Sequence, residues 1–326
     1  MRPSRRTWIK HSILLLITVV TCTVAGIIYP FGPLYFFESI DSGTSLSALD
    51  VILSLPNEYG NLIVAAFMLL YTQPVILQYG LKFSLSVLFI LTCHEAGHYI
   101  ACRLYGVDAT LPYFLPTPPL VGPAGTLGAF IKIVSPIPSR RAVFDIGVAG
   151  PIAGFIALIP VAVIAVATMK NAPPVPANSG DLTIIFADPL MMRILAYFAG
   201  LDLSIPIEFN PFYNAAWIGF LVTALNLIPS GQLDGGHAIY AALGKRVHYW
   251  TGRVAFVLMA LLSVSGLYFF GSPSGFLFAV ILAIMMRIKH PEPFDQTPLD
   301  GKRKVIAVLT LLIFILCFMP FPIQLK

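Results

Sequence analysis

Charge is scarce in this sequence. Only 11% of the 326 residues are Asp, Glu, Lys or Arg, and 57% are hydrophobic, whereas soluble domains carry about 25% charged residues. So few charges cannot cover the surface of a soluble protein of this length. The composition therefore predicts a polytopic membrane protein with the lipid bilayer as its surroundings.

The positive charges that are present occur in short clusters, at 2–10, 245–253 and 287–304. This arrangement is typical of topology signals in membrane proteins rather than of a nucleic-acid surface. We therefore expect no nucleic-acid partner.

Paired cysteines are also lacking. None of the four cysteines stands in a CxxC pair, which argues against a disulfide framework and against a cysteine-based zinc site. Cys93 adjoins a histidine and could be a ligand by proximity, but we interpret it as a small buried hydrophobic residue.

No polar stretch is long enough for a soluble domain of ordinary size. A helix needs about 20 apolar residues to cross a bilayer. The apolar segments predict an all-α polytopic membrane protein with six to eight transmembrane helices. The candidate segments are 13–29, 62–79, 81–104, 142–169, 212–228, 254–270, 275–286 and 305–318.

The orientation of these segments follows from the basic clusters. The positive-inside rule places the polar stretch 171–210 outside and ends the 81–104 segment on the cytoplasmic side. Eight spans would then place the basic N-terminus outside, against the same rule, so the span count and the side of the N-terminus stay open. The segment 13–29 is interpreted as an uncleaved helix rather than a signal peptide, because its apolar run is long and lacks a clear cleavage site.

One apolar segment, 111–138, is unsuited to a lipid-facing helix because four prolines and three glycines interrupt it between 116 and 128. Its second half, "TLGAFIKIVS", is rich in β-branched and aromatic residues and predicts a short strand or hairpin. Non-helical backbone survives at membrane depth only where protein or a water-filled cavity surrounds it. We therefore predict a re-entrant β element that lines a cavity.

Two histidines and a glutamate lie in the middle of the apolar segment 81–104. In a helix, His94 and His98 fall on one face because four residues complete slightly more than one turn. "HEAGH" matches the HExxH zinc signature, in which the two imidazoles bind the metal and Glu95 takes a proton from a water on it. Two histidines satisfied by hydrogen bonds within a helix bundle are the alternative.

Catalytic zinc usually takes a third protein ligand. Besides Glu95, only Asp145 and Asp234 are acidic residues within or against apolar segments, where a carboxylate costs about 2.5–3.5 kcal/mol on insertion scales. Asp145 is interpreted as structural, held in the first turn of its helix by the dipole and by the adjacent Arg140 and Arg141. Asp234 lies in a glycine-interrupted run, "NLIPSGQLDGG", and would complete a set of two histidines and one carboxylate suited to zinc.

The two motifs together resemble the site-2 protease family of intramembrane zinc metalloproteases. "HEAGH" is followed far downstream by "NLIPSGQLDGG", which is similar to the family pattern NxxPxxxLDG. The resemblance covers about 81–245. "FDIGVAGPIAG", and the lack of room for an inserted PDZ domain, look most like the branch with plant-chloroplast and cyanobacterial members.

This resemblance implies roles for particular positions. His94, His98 and Asp234 would bind Zn2+, and Glu95 would be the general base. Asn226 would hold the substrate peptide or the developing oxyanion. A strand edge at 125–133, with Gly125, Thr126 and Gly128 as contacts, would receive an unwound substrate helix.

The family's asparagine shortly after AGP is not matched, since Ala153 and Gly154 stand there. His237 could be a fourth ligand or a proton carrier, but we interpret it as a residue that either supports the site from outside the ligand set or belongs to the start of a helix. His11, His248 and His290 receive no role.

We therefore predict an intramembrane zinc metalloprotease that cleaves membrane-protein substrates with a transmembrane helix. We expect an N-terminal transmembrane helix and loop at 1–59, a catalytic core at 60–245 and C-terminal transmembrane helices at 246–326. The membrane is expected to be a bacterial cytoplasmic or an organellar one.

Two rival classes stay open. A transporter or channel would explain broken helices and buried ionisable groups, but it predicts an internal repeat, and none stands out. A catalytically silent relative that binds membrane proteins should lack a ligand or the base, yet all four positions are filled.

Overall fold

The architecture is predominantly helical. A computed structural model of the chain describes residues 3–34, 48–122, 124–170, 184–205, 207–288, 290 and 292–325. The helices are α1 (Arg5–Ile27), α2 (Ala48–Thr72), α3 (Pro74–Leu104), α4 (Arg140–Ala167), α5 (Leu190–Phe198), α6 (Pro211–Asn226), α7 (Asp234–Leu243), α8 (Lys245–Phe270), α9 (Ser274–Met285) and α10 (Gly301–Cys317). The strands are β1 (Tyr113–Pro116), β2 (Thr126–Phe130), β3 (Ile184–Phe186) and β4 (Ile323–Leu325).

Four of the described helices, α1, α3, α4 and α8, are long and apolar enough to cross a membrane. The remaining predicted apolar segments include α6, with 16 residues, α10, with 17, and the short α9, with 12. A mostly helical membrane protein with only small sheets is therefore confirmed.

The predicted boundary between the second and third apolar segments is wrong. The helices break at Gln73, and α3 begins at Pro74, so Gly80 lies inside α3. Proline suits the first turn of a helix and holds the preceding residue extended, here with φ −120° and ψ 97° at Gln73. A Cβ at Gly80 would lie 2.8 Å from the Thr23 carbonyl oxygen, so this glycine permits close packing of α3 on α1.

A β-hairpin occupies the proline- and glycine-rich segment 111–138. β1 pairs antiparallel with β2, with Tyr113 opposite Phe130. The ladder extends beyond β2, because the Thr110 amide donates to the Lys132 carbonyl at 3.0 Å. Within the described residues this sheet has two strands, so one edge of β2 has no neighbouring strand.

Helix α1 fixes the hairpin from one side. Near its start, the His11 Nδ1 donates to the Pro112 carbonyl at 2.7 Å, and its ring lies 4.1 Å from that of Tyr113. Further along the same helix, the Thr21 hydroxyl donates to the Gly125 carbonyl at 2.7 Å. The hairpin is therefore attached to α1 at both ends.

The centre of the molecule is formed by α3, α4 and α6, with α1 packed against α3. The fully buried aromatic side chains Phe83 of α3 and Phe220 of α6 lie in the core that these helices share, whereas Phe144 of α4 packs with Tyr240 of α7. At the crossing of α3 and α4, a Cβ at Gly97 would lie 2.3 Å from the Ala149 carbonyl oxygen. Small residues at such crossings let helix backbones approach closely, as is common in membrane helices.

The two polar breaks predicted at 31–59 and 171–210 fall partly outside the described residues, at 35–47, 171–183 and 206. The described part of the second break contains β3 and α5. β3 pairs antiparallel with β4, with Ile184 opposite Leu325. This pairing ties the connection between α4 and α6 to the segment that follows α10.

Candidate metal centre

Three predicted ligands meet at one point inside the helix bundle. The Nε2 atoms of His94 and His98 lie 3.1 Å apart. The Asp234 carboxylate approaches both, with Oδ2 3.2 Å from His94 Nε2 and Oδ1 3.3 Å from His98 Nε2. All three donor atoms lie within 4.8 Å of one another. Two imidazoles and one carboxylate form a donor set that catalytic zinc takes, so these residues fit a zinc ion.

Asp234 reaches the histidines because the chain is broken just before it. α6 ends at Asn226, and α7 begins at Asp234 after a short irregular turn. Gly231 in this turn has φ +55°, a conformation that favours glycine. A Cβ at Gly235 would lie 2.0 Å from the Leu227 carbonyl oxygen, so the start of α7 can pack directly on the end of α6.

The orientation of His98 is set by helix α4. Its Nδ1 lies 2.7 Å from the Ile146 carbonyl oxygen. A carbonyl can only accept, so Nδ1 carries the proton and Nε2 presents its lone pair to the site. Carbonyl partners of this kind commonly orient metal-binding histidines. On the other side of the site, Asn226 Nδ2 lies 3.4 Å from His94 Nε2.

Two glycines of α4 make room for the histidine rings. A Cβ at Gly150 would lie 2.0 Å from His98 Nε2, and a Cβ at Gly154 would lie 3.1 Å from His94 Nδ1. These glycines belong to the "AGPIAG" stretch, in which small residues stand four apart. At these two positions, the surface of α4 that faces the imidazole rings therefore consists of backbone atoms.

Glu95 is buried beside this cluster, with 5% of its surface exposed. The backbone amide of Ile131, directly after β2, makes a polar contact with its carboxylate. The next residue, Lys132, faces Thr110, because its backbone carbonyl accepts from the Thr110 amide at 3.0 Å. Successive residues of a strand alternate in direction, so the Ile131 amide belongs to the other, open edge of the hairpin.

The predicted substrate contacts differ in their surroundings. Gly125, with φ +73°, packs on α1, where a Cβ would lie 2.3 Å from the Thr21 carbonyl oxygen. Thr126 is buried, and its hydroxyl donates to the Leu115 carbonyl at 2.9 Å. Gly128, with φ +98°, faces open space. Of these three residues, Gly128 has the room to meet a peptide.

His237 lies one turn after Asp234 on α7 and contacts a second histidine. Its Nδ1 is 2.7 Å from His290 Nε2, and the His290 ring stacks on Tyr240 at 4.0 Å. Among the described residues, the group of converging metal donors does not include His237. The geometry therefore favours a supporting role for His237 over that of a fourth ligand.

The prediction for Asp145 is wrong in its place and its partner. α4 begins at Arg140, so Asp145 lies in the second turn, and its carboxylate pairs with Arg303 of α10 at 2.6 Å. Arg140 instead donates through Nε to the Ala241 carbonyl at 2.6 Å. The sequence suggested the nearest arginines, whereas tertiary packing supplies a distant one.

Sequence reasoning also missed the groups that orient the site. The Ile146 carbonyl and the Ile131 amide are backbone atoms and carry no residue signature. Gly150 and Gly154 did carry a signal, because small residues four apart in an apolar helix indicate close packing against another helix.

Comparison with known proteins identifies the family. The sequence profile of Peptidase family M50 matches residues 82–265, which is more than half of the 326-residue chain. The "Probable zinc metalloprotease EGY1, chloroplastic" of Arabidopsis thaliana is 30% identical over 250 residues, covering 74% of this chain and 43% of that protein.

Two rice proteins match over similar stretches. The EGY1 protein of Oryza sativa subsp. japonica is 28% identical over 251 residues, covering 74% of this chain and 41% of its own. The "Probable zinc metalloprotease EGY2, chloroplastic" of Oryza sativa subsp. indica is 27% identical over 254 residues, covering 76% of this chain and 44% of its own.

This chain thus spans less than half the length of the curated relatives that it matches. The profile nevertheless runs through both motifs, from before His94 to beyond Asp234, and so confirms the resemblance drawn from them. The chain belongs to Peptidase family M50, the site-2 protease family.

Proposed function

We propose that this protein is an intramembrane zinc metalloprotease that hydrolyses peptide bonds in or near the transmembrane segments of other membrane proteins. The observation that carries the proposal is the convergence of His94, His98 and Asp234 beside the buried Glu95. Four chemically suited groups at one point of an apolar bundle are costly to bury without a function.

The proposed chemistry divides between the ligands and the base. His94, His98 and Asp234 would hold the zinc, which when bound supplies a Lewis acid that polarises a carbonyl and acidifies water. The Glu95 carboxylate would accept the proton of the attacking water and deliver it to the nitrogen of the leaving amine. Asn226, whose amide lies beside His94, would donate to the substrate carbonyl oxygen as negative charge develops on it.

The substrate would bind as an added strand. A transmembrane helix hides its carbonyls in internal hydrogen bonds, so it must unwind before hydrolysis. The open edge of β2 and of the residues after it, up to Ile133, offers backbone groups to such an unwound segment. This edge passes Glu95 at Ile131, which supports a path for the substrate that ends at the base.

The finer topology is also part of the proposal. The catalytic core would span 60–245, between an N-terminal unit at 1–59 and C-terminal helices at 246–326. Six to eight spans would cross a bacterial cytoplasmic or an organellar membrane, with the hairpin as a re-entrant element. The shorter α6, α9 and α10 would account for spans beyond the four long helices.

Replacement of the base tests the proposed reaction. Glu95→Gln keeps the size of the side chain but removes its ability to accept a proton. We expect cleavage of a single-span substrate to fall by about 100-fold or more, while the purified variant retains one zinc per chain. Cleavage is measured by gel in proteoliposomes, and zinc by atomic emission.

Glu58→Gln serves as the matched control, because Glu58 lies in α2 and outside the cluster of donors. This control should cleave at the wild-type rate. Normal cleavage by Glu95→Gln would rule out the proposed role of this residue. Wild-type protein that binds zinc yet cleaves no membrane substrate would instead favour a catalytically silent relative.

A further inference from the structure

Arg303 joins three helices at one end of the bundle. Its guanidinium binds the Asp145 carboxylate of α4 with two nitrogens, Nε to Oδ1 at 2.9 Å and Nη2 to Oδ2 at 2.6 Å. Nη2 also donates to the Tyr105 hydroxyl, directly after α3, at 3.0 Å. The Tyr105 hydroxyl in turn donates to Asp145. The arrangement is closed, with each group contacting the other two.

Arg303 is itself held in place by the start of its own helix. Asp300 caps α10, accepting from the Arg303 amide at 3.0 Å, and also pairs with the guanidinium. This backbone hydrogen bond lowers the pKa of the Asp300 carboxyl, which keeps it ionised beside the guanidinium. The arginine is thus oriented before it meets Asp145.

The ion pair lies next to the group that orients a proposed zinc ligand. Asp145 precedes Ile146 in α4, and the Ile146 carbonyl accepts from His98 Nδ1 at 2.7 Å. Bidentate pairing between an arginine and a carboxylate fixes direction as well as distance, which a lysine cannot do. The side chains of Arg303 and Asp145 are only 22% and 26% exposed, so solvent weakens the pair little.

We propose that Arg303 is a positioning residue for the metal centre, acting through Asp145 and the Ile146 carbonyl to hold His98 in its ligand geometry. This inference rests on the proposed function of the site. It makes α10 part of the functional unit, although this helix lies outside the profile match at 82–265 and outside the predicted core. The alternative is a fold-stabilising ion pair without influence on the site.

Arg303→Met tests the inference, with Lys304→Met as the matched control. Both variants remove one positive charge from α10, but Lys304 is an exposed neighbour of the pair. We expect Arg303→Met to weaken zinc binding about 10-fold, at the lower end of the range for outer-sphere residues, because it acts through a second residue. Zinc affinity is measured by competition with a chelator on the detergent-solubilised full chain.

Two further measurements separate positioning from simple stabilisation. The visible absorption spectrum of the cobalt-substituted protein should shift in Arg303→Met and not in Lys304→Met, because it reports ligand geometry. In Arg303→Met, the kcat of cleavage should decrease with KM little changed, because the open edge of β2 that is proposed to bind the substrate lies elsewhere. Arg303→Lys should fail to restore the spectrum fully, because it cannot bind both carboxylate oxygens.

Zinc affinity and a cobalt spectrum identical to those of Lys304→Met would overturn the inference. If Arg303→Met does not fold, the variant Tyr105→Phe tests the inference instead. It removes one hydroxyl group and leaves the ion pair between Arg303 and Asp145 in place. It should shift the spectrum in the same direction by a smaller amount, and an unchanged spectrum would overturn the inference equally. Neither result depends on cleavage, so a failure of the proposed function remains visible separately in Glu95→Gln.

Discussion

At the scale of single residues, the positions of the two histidines depend on two glycines of α4, Gly150 and Gly154, which have no side chains to occupy the space of the imidazole rings. A Cβ at Gly150 would lie 2.0 Å from His98 Nε2, and a Cβ at Gly154 would lie 3.1 Å from His94 Nδ1, which is a looser contact. The glycines contribute no donor atom, yet they determine whether the donors can meet.

Gly150→Ala should therefore abolish the metal centre. The added methyl group displaces the His98 ring from its place opposite Asp234. Loss of a ligand should weaken zinc binding by more than the roughly 10–100-fold that changes in outer-sphere partners cost. Zinc content after dialysis against a weak chelator measures the effect. Gly60→Ala is the control, because Gly60 also lies in a helix but has no atom near a Cβ. Full zinc content in Gly150→Ala would contradict the described packing.

Residue chemistry explains how far the sequence led to this site. The spacing of His94 and His98 fixes them on one helix face, and the cost of burying a carboxylate singles out Asp234. Ion pairs between residues far apart in the sequence could not be predicted from spacing or from burial cost. Asp145 and Arg303 stand 158 positions apart, and nothing local distinguishes this arginine from Arg140.

At the scale of elements, the hairpin and α1 behave as one unit. The α1 backbone lies against Gly125, and the Thr21 hydroxyl holds the carbonyl of the same glycine. The edge proposed for substrate is therefore braced from behind by a helix that precedes the family match.

The contribution of α1 to the stability of the hairpin can be tested by comparing substitutions at two glycines. Gly125→Ala and Gly128→Ala both place a side chain at positive φ, at a cost of about 1–2 kcal/mol. Only Gly125→Ala also drives a methyl group to within 2.3 Å of the α1 backbone, adding about 1–3 kcal/mol of overpacking. Thermal unfolding in detergent should thus show the larger loss for Gly125→Ala, and equal losses would mean that α1 does not support the hairpin.

Element prediction succeeded where composition is decisive and failed where packing overrides it. The β-branched run at 126–134 indicated a strand, and the strand is present. The predicted segments 62–79 and 81–104 left Gly80 between them. Packing on α1 keeps that glycine inside α3, and Pro74 ends the preceding helix instead.

At the scale of the whole molecule, the proposed zinc would join α3 to α7, two helices far apart in the chain. A ligand that binds only the folded state stabilises it by about 2.7 kcal/mol at 100 times its dissociation constant. Treatment with 1,10-phenanthroline should therefore abolish cleavage and lower the unfolding temperature, and added zinc should reverse both effects. Asp234→Ala should show no further decrease with the chelator. A decrease in Asp234→Ala as large as in the wild type would place the chelated metal elsewhere.

The low content of charged residues indicated a membrane protein, and the long apolar segments indicated that it is helical. The relative placement of α10 could not be predicted, since its apolar face fits lipid and protein equally well. At one end of the helix Arg303 pairs with Asp145 of α4, and near the other end Cys317 is buried in the central core.

The pairing of β4 with β3 bears on how the protein is handled in the laboratory. Ile323–Leu325 is hydrogen-bonded to Ile184–Phe186, so an affinity tag or fluorescent reporter fused immediately after Leu325 would strain a two-stranded ribbon. A flexible Gly/Ser spacer would relieve this strain. Attachment ahead of Ser4, the cap of α1, avoids the ribbon altogether and is the better position for immobilising the protein.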